Sequence, residues 1–236
     1  MKFFSTLFVS AFLFAGLPAL FLAGCAAEKT MLTSNDRIIF FGDSITELGA
    51  EPNGFVTLIR DSLQKKYGQD APEVIGAGVS GNKVTDLEKR IDRDVLSKKP
   101  TLVAVYIGIN DVWHYALPGL KGTPKDLFET DLKDIIEKIQ KVGARVILCT
   151  PSVIGEKYDG TNPQDSMLEE YSAIGRRAAN ETSSQLCDLR KAFIAYLKQH
   201  NTENVEKGML TRDRVHLTDE GNRFVAEQML KVIDGE

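Results

Sequence analysis

Four short stretches carry the residue types from which acyl-transfer chemistry is built. Ser44 stands in Gly42-Asp43-Ser44-Ile45-Thr46, directly after the apolar run Arg37–Phe41 (RIIFF). A serine at the C-terminal end of a strand, entering a turn or helix, exposes its hydroxyl and brings its own N–H to a helix start. Taken singly it is equally an N-cap serine, common wherever a strand turns into a helix. Gly78-Val79-Ser80-Gly81-Asn82 closes a second apolar run. A glycine there lets a backbone N–H approach a ligand closely, and a plain turn looks the same. It is not the G-x-S-x-G elbow, because Asn82 stands two residues after Ser80. Gly108-Ile109-Asn110-Asp111 closes a third run. The Asn side-chain N–H there can meet a developing oxyanion, or only close an Asx-turn. Asp213 and His216, three residues apart, put a carboxylate within reach of an imidazole. It would fix the ring's tautomer and support the imidazolium, though in an acidic chain a surface His often has an acidic neighbour by chance. Each signal alone is commonplace. The set supplies nucleophile, oxyanion donors, base and orienter, which is what acyl transfer requires.

The elements that must hold these residues are legible as alternating patterns. Besides Arg37–Phe41, apolar runs occupy Glu73–Val79, Thr101–Ile107, Arg145–Thr150 and Gln185–Leu189. The third and fourth are continuous and rich in Val and Ile, as strands buried on both faces should be. Between them, helical spacing appears in Phe55-Leu58-Ile59-Ser62-Leu63, in Val84-Leu87-Ile91-Val95 and in Leu127-Leu132-Ile135-Ile136-Ile139. Thr123-Pro124 reads as the N-cap and first-turn pair of the third. Thr218 opens a last helix, with Asp219 and Glu220 in its first turn and Phe224-Val225-Met229-Leu230-Val232 behind. Strands alternating with helices predict an α/β fold: one three-layer α/β/α domain around a five-stranded parallel sheet, flavodoxin-like in outline. The segments Trp113–Lys125 and Ser152–Gln164 are the two long Gly/Pro-marked loops. Both follow strand C-terminal ends, where ligands bind in open α/β sheets, and both are expected to rim a pocket.

The chain has 236 residues, 43% hydrophobic and 26% charged, with 19 Gly and 8 Pro, which excludes collagen-like and broadly disordered readings. A formal charge of −4 argues against a nucleic-acid partner. Three cysteines are too few for a disulfide scaffold. Lys2 is followed by an uncharged run from Phe3 to Ala23, the layout of a secretory signal. Leu22-Ala23-Gly24-Cys25 resembles a bacterial lipobox, so residues 1–24 are expected to be removed and Cys25 lipidated. Residues 25–35 then form a small, polar tether and 36–236 the domain. A lipid anchor in the bacterial cell envelope, on the outer membrane or cell surface, follows from that expectation.

The whole of the domain, from Ile38 to about Val232, resembles the SGNH (or GDSL) hydrolases. The blocks that carry the resemblance are FFGDSIT, GVSGN, GIND and DRVHLTDEGN, in that order. Many members have Asn where this chain has Gly76, a departure that bears on the support of the turn more than on the chemistry. The resemblance implies Ser44 as nucleophile, His216 as general base and Asp213 as its partner. It also implies Ser44 N–H, Gly81 N–H and Asn110 Nδ2 as the oxyanion hole, no cofactor and no metal. Members of the family act on acetylated glycans, lysophospholipids, thioesters and aryl esters. The rim loops here are polar and lack the long apolar stripe of an acyl-chain tunnel, so short-chain, acetyl esters on carbohydrate are the expected substrates.

Other residues invite blander roles. Asp43 braces the serine turn or touches substrate, and Trp113 and His114 are candidates for the pocket wall. Asp111 reads as a loop cap, His200 as a solvent-exposed residue, and Cys149 and Cys187 as buried free thiols in neighbouring strands. Two rival functions stand beside the esterase. One is a metal-dependent phosphoesterase using Asp43, Asp111, Asn110 and His216, which would need those groups to converge. The other is a non-catalytic binding lipoprotein on a hydrolase fold.

Overall fold

The computed structural model describes residues 1–2 and 32–235. The signal segment, the lipobox with Cys25 and most of the tether lie outside the described residues. Five parallel strands, β1 (Arg37–Gly42), β2 (Glu73–Gly78), β3 (Leu102–Tyr106), β4 (Arg145–Cys149) and β5 (Gln185–Cys187), line up in the order β2-β1-β3-β4-β5. The central strands β1, β3 and β4 are buried almost throughout, as their continuous apolar runs require, whereas the edge strands β2 and β5 are part-exposed. Several strands end before the apolar runs do, because Val79, Ile107 and Thr150 already turn over the sheet's edge.

Among the described residues eight α-helices cover the sheet: α1 (Ser44–Gly49), α2 (Phe55–Tyr67), α3 (Val84–Asp94), α4 (Ile109–Trp113), α5 (Lys125–Lys141), α6 (Asp165–Glu181), α7 (Leu189–His200) and α8 (Asp219–Asp234). They pack in two series, α3 on α5 on α6, and α2 on α8 on α7. Each buries the face its spacing marks, such as Phe128, Leu132, Ile135, Ile136 and Ile139 on α5. Among the described residues no helix is long and apolar enough to cross a membrane.

Two details differ from the sequence reading. Thr123 does not cap α5. Pro124 occupies that position without a side-chain bond, while Thr123 is buried and gives its N–H to the Asp111 carbonyl at 3.0 Å. Helices α6 and α7 escaped the apolar spacing, because α6 buries Gly175, Ala178 and Ala179 beside Leu168, Tyr171 and Ile174, a contact face weak in hydrophobicity. The Gly76 substitution finds its reason here: α1 lies so close to β2 that a Cβ at Gly76 would approach the Ala50 Cβ to 2.8 Å. An Asn there would push this helix end away.

Candidate active site

The sheet order makes β2, β1 and β3 immediate neighbours, and their register sets Gly42 level with both Gly78 and Tyr106. The three motif-bearing turns therefore leave one sheet edge side by side. Ser44 is the first residue of α1 and is only 8% exposed. Asp43 before it is extended, and its carboxylate accepts the Ile45 N–H at 2.9 Å, an N-cap that fixes the turn.

The imidazole arrives from the far end of the chain. Ser44 Oγ lies 2.9 Å from His216 Nε2, and His216 Nδ1 lies 2.7 Å from Asp213 Oδ2. Asp213 Oδ1 accepts the His216 N–H at 2.8 Å and the Val215 N–H at 3.1 Å, so the acid holds both ring and backbone of the base. Burial would raise the Asp213 pKa, but bonds from the His216 ring, the His216 N–H and the Val215 N–H outweigh it and hold the carboxyl below the usual value. The Trp113 ring meets the His216 ring edge-on, centroids 6.3 Å apart at 69°. This loop is closed by the Thr211–Leu217 bridge and by the Arg212 N–H on the His216 carbonyl at 2.8 Å.

Beneath the loop sits a group that sequence reading did not single out. Glu156 is fully buried. Its Oε2 accepts the Met209 N–H at 2.9 Å; its Oε1 accepts the Leu210 N–H at 2.7 Å, the Thr211 hydroxyl at 2.9 Å and the Thr211 N–H. Four donors satisfy one buried carboxylate without a cation, as burial of a charge demands. A lone acid behind the apolar pair Val153-Ile154 was its only sequence signal.

At the turn expected to offer oxyanion donors, Gly81 has φ of +76° with open space where a Cβ would stand, so this turn favours glycine on conformation alone. Asn110 is 3% exposed at the start of α4, and one N–H of its amide goes to the Asn82 carbonyl at 3.0 Å. That bond aims the side chain toward the Gly81 turn and leaves the amide's second N–H for a ligand. Glu47 on α1 accepts the Ser80 N–H at 2.8 Å and the Ser80 hydroxyl. Arg90 on α3 reaches the same turn through Asn82.

The neighbouring residues take the blander of their expected roles. Asp43 is 2% exposed and its carboxylate braces the serine turn from beneath. Burial raises its pKa to about 7, with nearby Asp111 adding to the rise and the Ile45 N–H and Arg90 opposing it. Asp111 is fully buried and accepts the Val84 N–H at the start of α3 at 3.1 Å, so it caps a helix. Burial raises it to about 6. The four groups offered to a metal-dependent phosphoesterase are thus turned to separate partners, and among the described residues no three His, Cys, Asp or Glu gather as ligands. His114 is half-buried one residue beyond Trp113, its pKa lowered by burial and by Lys83. Cys149 and Cys187 are free, buried register partners of β4 and β5. His200 is exposed.

Both rim loops meet. Tyr115 and Pro124 from the first, with Pro163 from the second, border one groove of about 590 Å³. A smaller cavity of about 150 Å³ touches the chain neighbours of all three acid–base residues: Ile45, Arg212 and Leu217.

Known proteins share this arrangement's sequence and fold. A family model described as "GDSL-like Lipase/Acylhydrolase family" matches residues 40–224. An acetylxylan esterase of Geobacillus stearothermophilus is 33% identical over 218 residues, covering 86% of this chain and 96% of that protein. The crystal structure of an acetyl xylan esterase, AlAXEase, superimposes with a TM-score of 0.80 at 49% identity, over 83% of this chain and 98% of that one. An uncharacterized lipoprotein of Bacillus subtilis, YqeF, is 25% identical over 173 residues, covering 66% of this chain and 71% of that protein.

Proposed function

The chain belongs to the GDSL-like lipase/acylhydrolase family and is a carboxylic ester hydrolase, and from that premise we propose a serine esterase that removes acetyl groups from carbohydrate. One observation carries the mechanism: the unbroken series Ser44 Oγ, His216 Nε2, His216 Nδ1, Asp213 Oδ2, with contacts of 2.9 and 2.7 Å. With the Nδ1–H donated to the Asp213 carboxylate, Nε2 is left as the acceptor, and it takes the Ser44 proton as Oγ attacks the ester carbonyl. The carbonyl π electrons move to its oxygen, and that oxyanion is met by the Ser44 N–H, the Gly81 N–H and the free N–H of Asn110. Collapse breaks the bond to the sugar oxygen, which takes the proton from His216 and leaves as a hydroxyl, and the acetyl group stays esterified to Ser44. Water, deprotonated by the same nitrogen, repeats the sequence and releases acetate.

An acetyl group as the acyl part is supported by the acetylxylan esterases to which the chain is similar and by the polar rim sequences TNPQD and GLKGTPKD. Carbohydrate as the alcohol is supported by the two acetylxylan esterases to which the chain is similar. The Leu22-Ala23-Gly24-Cys25 sequence, with the similarity to a Bacillus subtilis lipoprotein, supports lipidation at Cys25 and a place in the cell envelope. A fluorophosphonate probe tests the nucleophile: the wild type is labelled at Ser44 and Ser44→Ala is not. A series of nitrophenyl esters tests the acyl group, with acetate the fastest; equal rates on long chains would overturn that assignment. Labelling of the cells with a radioactive fatty acid should mark the wild type and spare Cys25→Ser.

A further inference from the structure

One buried side chain joins the nucleophile's strand to the oxyanion turn. Arg90 is 8% exposed, on the face of α3 that also buries Val84, Leu87 and Ile91. A guanidinium has five N–H donors in a rigid fork and no acceptor, so burial demands several partners at fixed angles. Nη2 donates to the Gly42 carbonyl at 2.7 Å, and Nη1 to the Ala77 carbonyl and to Asp94 Oδ2, each at 3.0 Å. Nε donates to Asn82 Oδ1 at 2.7 Å, and the fork lies 4.5 Å from the Phe41 ring centroid.

Three of these acceptors belong to pieces the chemistry needs. Gly42 is the end of β1, two residues before Ser44. Ala77 is on β2, where the chain leads into the Gly81 turn. Asn82 follows Gly81, and its backbone carbonyl holds the Asn110 amide. On the opposite flank, Glu47 holds Ser80 through its N–H and hydroxyl. The turn is gripped by a carboxylate before Gly81 and a guanidinium after it.

We propose that Arg90 is a positioning residue of the esterase reaction, setting the Gly81 N–H and the Asn110 amide against Ser44 through its bonds to Gly42, Ala77 and Asn82. This rests on the serine mechanism above. A lysine has one compact charge and cannot span the same acceptors, so the inference is specific to the fork. Arg90 touches no reacting atom, and its effect must run through the oxyanion hole. Removing it therefore lowers kcat more than it raises KM, because an oxyanion donor acts in the transition state.

The decisive experiment is a double-mutant cycle on nitrophenyl acetate. Arg90→Lys and Asn82→Ala are each made in the wild type and in Asn110→Ala, with kcat, KM and thermal unfolding measured for all. Arg90→Lys should lower kcat by about 10- to 100-fold, the scale of a misplaced catalytic group, with KM within about threefold. In the Asn110→Ala background the same change should cost only about threefold, since the hole it serves is already impaired. An equal loss in both backgrounds, or an unchanged kcat, overturns the proposal. Should Arg90→Lys fail to fold, the half-buried Asn82→Ala removes only the Nε acceptor and is read by the same criterion. Ser44→Ala serves as the control. If it keeps turnover, the serine mechanism falls and this inference with it; if it is inactive while the losses add, this inference alone falls.

Discussion

The turn Ser80–Asn82 and the loop 209–217 both complete the site from outside the sheet, yet they are anchored by buried groups of opposite charge. The oxyanion turn offers the side-chain oxygen of Asn82 and its strands the carbonyls of Gly42 and Ala77, and the donor fork of Arg90 meets all three. The acid–base loop directs N–H groups inward at Met209, Leu210 and Thr211, and the Glu156 carboxylate meets those. The polarity of the anchor follows from which polar group each segment turns toward the core, since a buried donor or acceptor left unpaired is costly. The anchors also differ in span. Arg90 ties β1, β2 and the turn to one another, so it governs distances between parts of the site. Glu156 binds three successive residues and governs the placement of one loop as a body. Disturbing the first should alter transition-state stabilisation; disturbing the second should alter proton transfer and stability together.

The largest effect tests the acid–base half. His216→Ala should lower kcat by on the order of 10⁴- to 10⁶-fold, and Asp213→Asn by no more than that. The double variant should be scarcely slower than His216→Ala alone, because residues that act as a unit are strongly non-additive. Steady-state rates on nitrophenyl acetate decide it, and additive losses would dissolve the pair. The oxyanion half should be less severe: Asn110→Ala lowers kcat by about 10²- to 10³-fold, the range for one lost donor. The variant also strands the Asn82 carbonyl, costing about 1 kcal/mol in urea unfolding. A folded Asn110→Ala with normal kcat would remove this side chain from the mechanism.

Glu156→Gln sharpens the contrast between anchors. An amide in place of the carboxylate sets an NH₂ against N–H donors, so at least one bond is lost and stability should fall by about 1–3 kcal/mol. The rate should fall by roughly 10-fold as the His216 ring moves relative to Ser44. Thermal unfolding read beside kcat checks both. A stability loss with an unchanged rate would mean that Asp213's own bonds to Val215 and His216 suffice to set the base.

Most of the sheet, and the identity of the hydrogen-bonded residues, could be read from the chain because both depend on local signals. Continuous Val/Ile runs mark β3 and β4, and Ser44, Gly81 and Asn110 stand where those and similar runs end. The anchors could not be read that way. Glu156 is 55 residues from Thr211, and Arg90 is 48 from Gly42, so neither pairing leaves a spacing pattern. Arg90 sits beside Ile91 in an otherwise amphipathic helix and passes for surface charge until its carbonyl partners are seen. Asp43 shows the converse: its place after the glycine of a strand-end turn suggests a brace for that turn, and the Ile45 N–H on its carboxylate makes it one.

That cap sharpens the comparison in a last way, through pH, with little effect expected on the rate. Burial raises Asp43 to about 7, whereas in the unfolded chain an aspartate titrates near about 3.9. Between those values the folded protein holds a proton that the unfolded chain has released. Stability therefore falls as pH rises through this window, by at most about 1.4 kcal/mol per pH unit for one proton. The contribution is complete below about pH 4 and gone above about pH 7. Asp111, raised to about 6, adds a slope of the same sign in the lower part of the window. Arg90 opposes the rise at Asp43, so the question is whether the guanidinium is strong enough to keep the acid ionised. Asp43→Asn is neutral at every pH and still offers an oxygen to the Ile45 N–H, so its stability curve should be flatter than the wild type's by about one proton. Urea midpoints taken at intervals across the window read the difference. Parallel curves would show that Asp43 stays ionised, adding a second negative charge near Arg90 to the one that Asp94 already supplies.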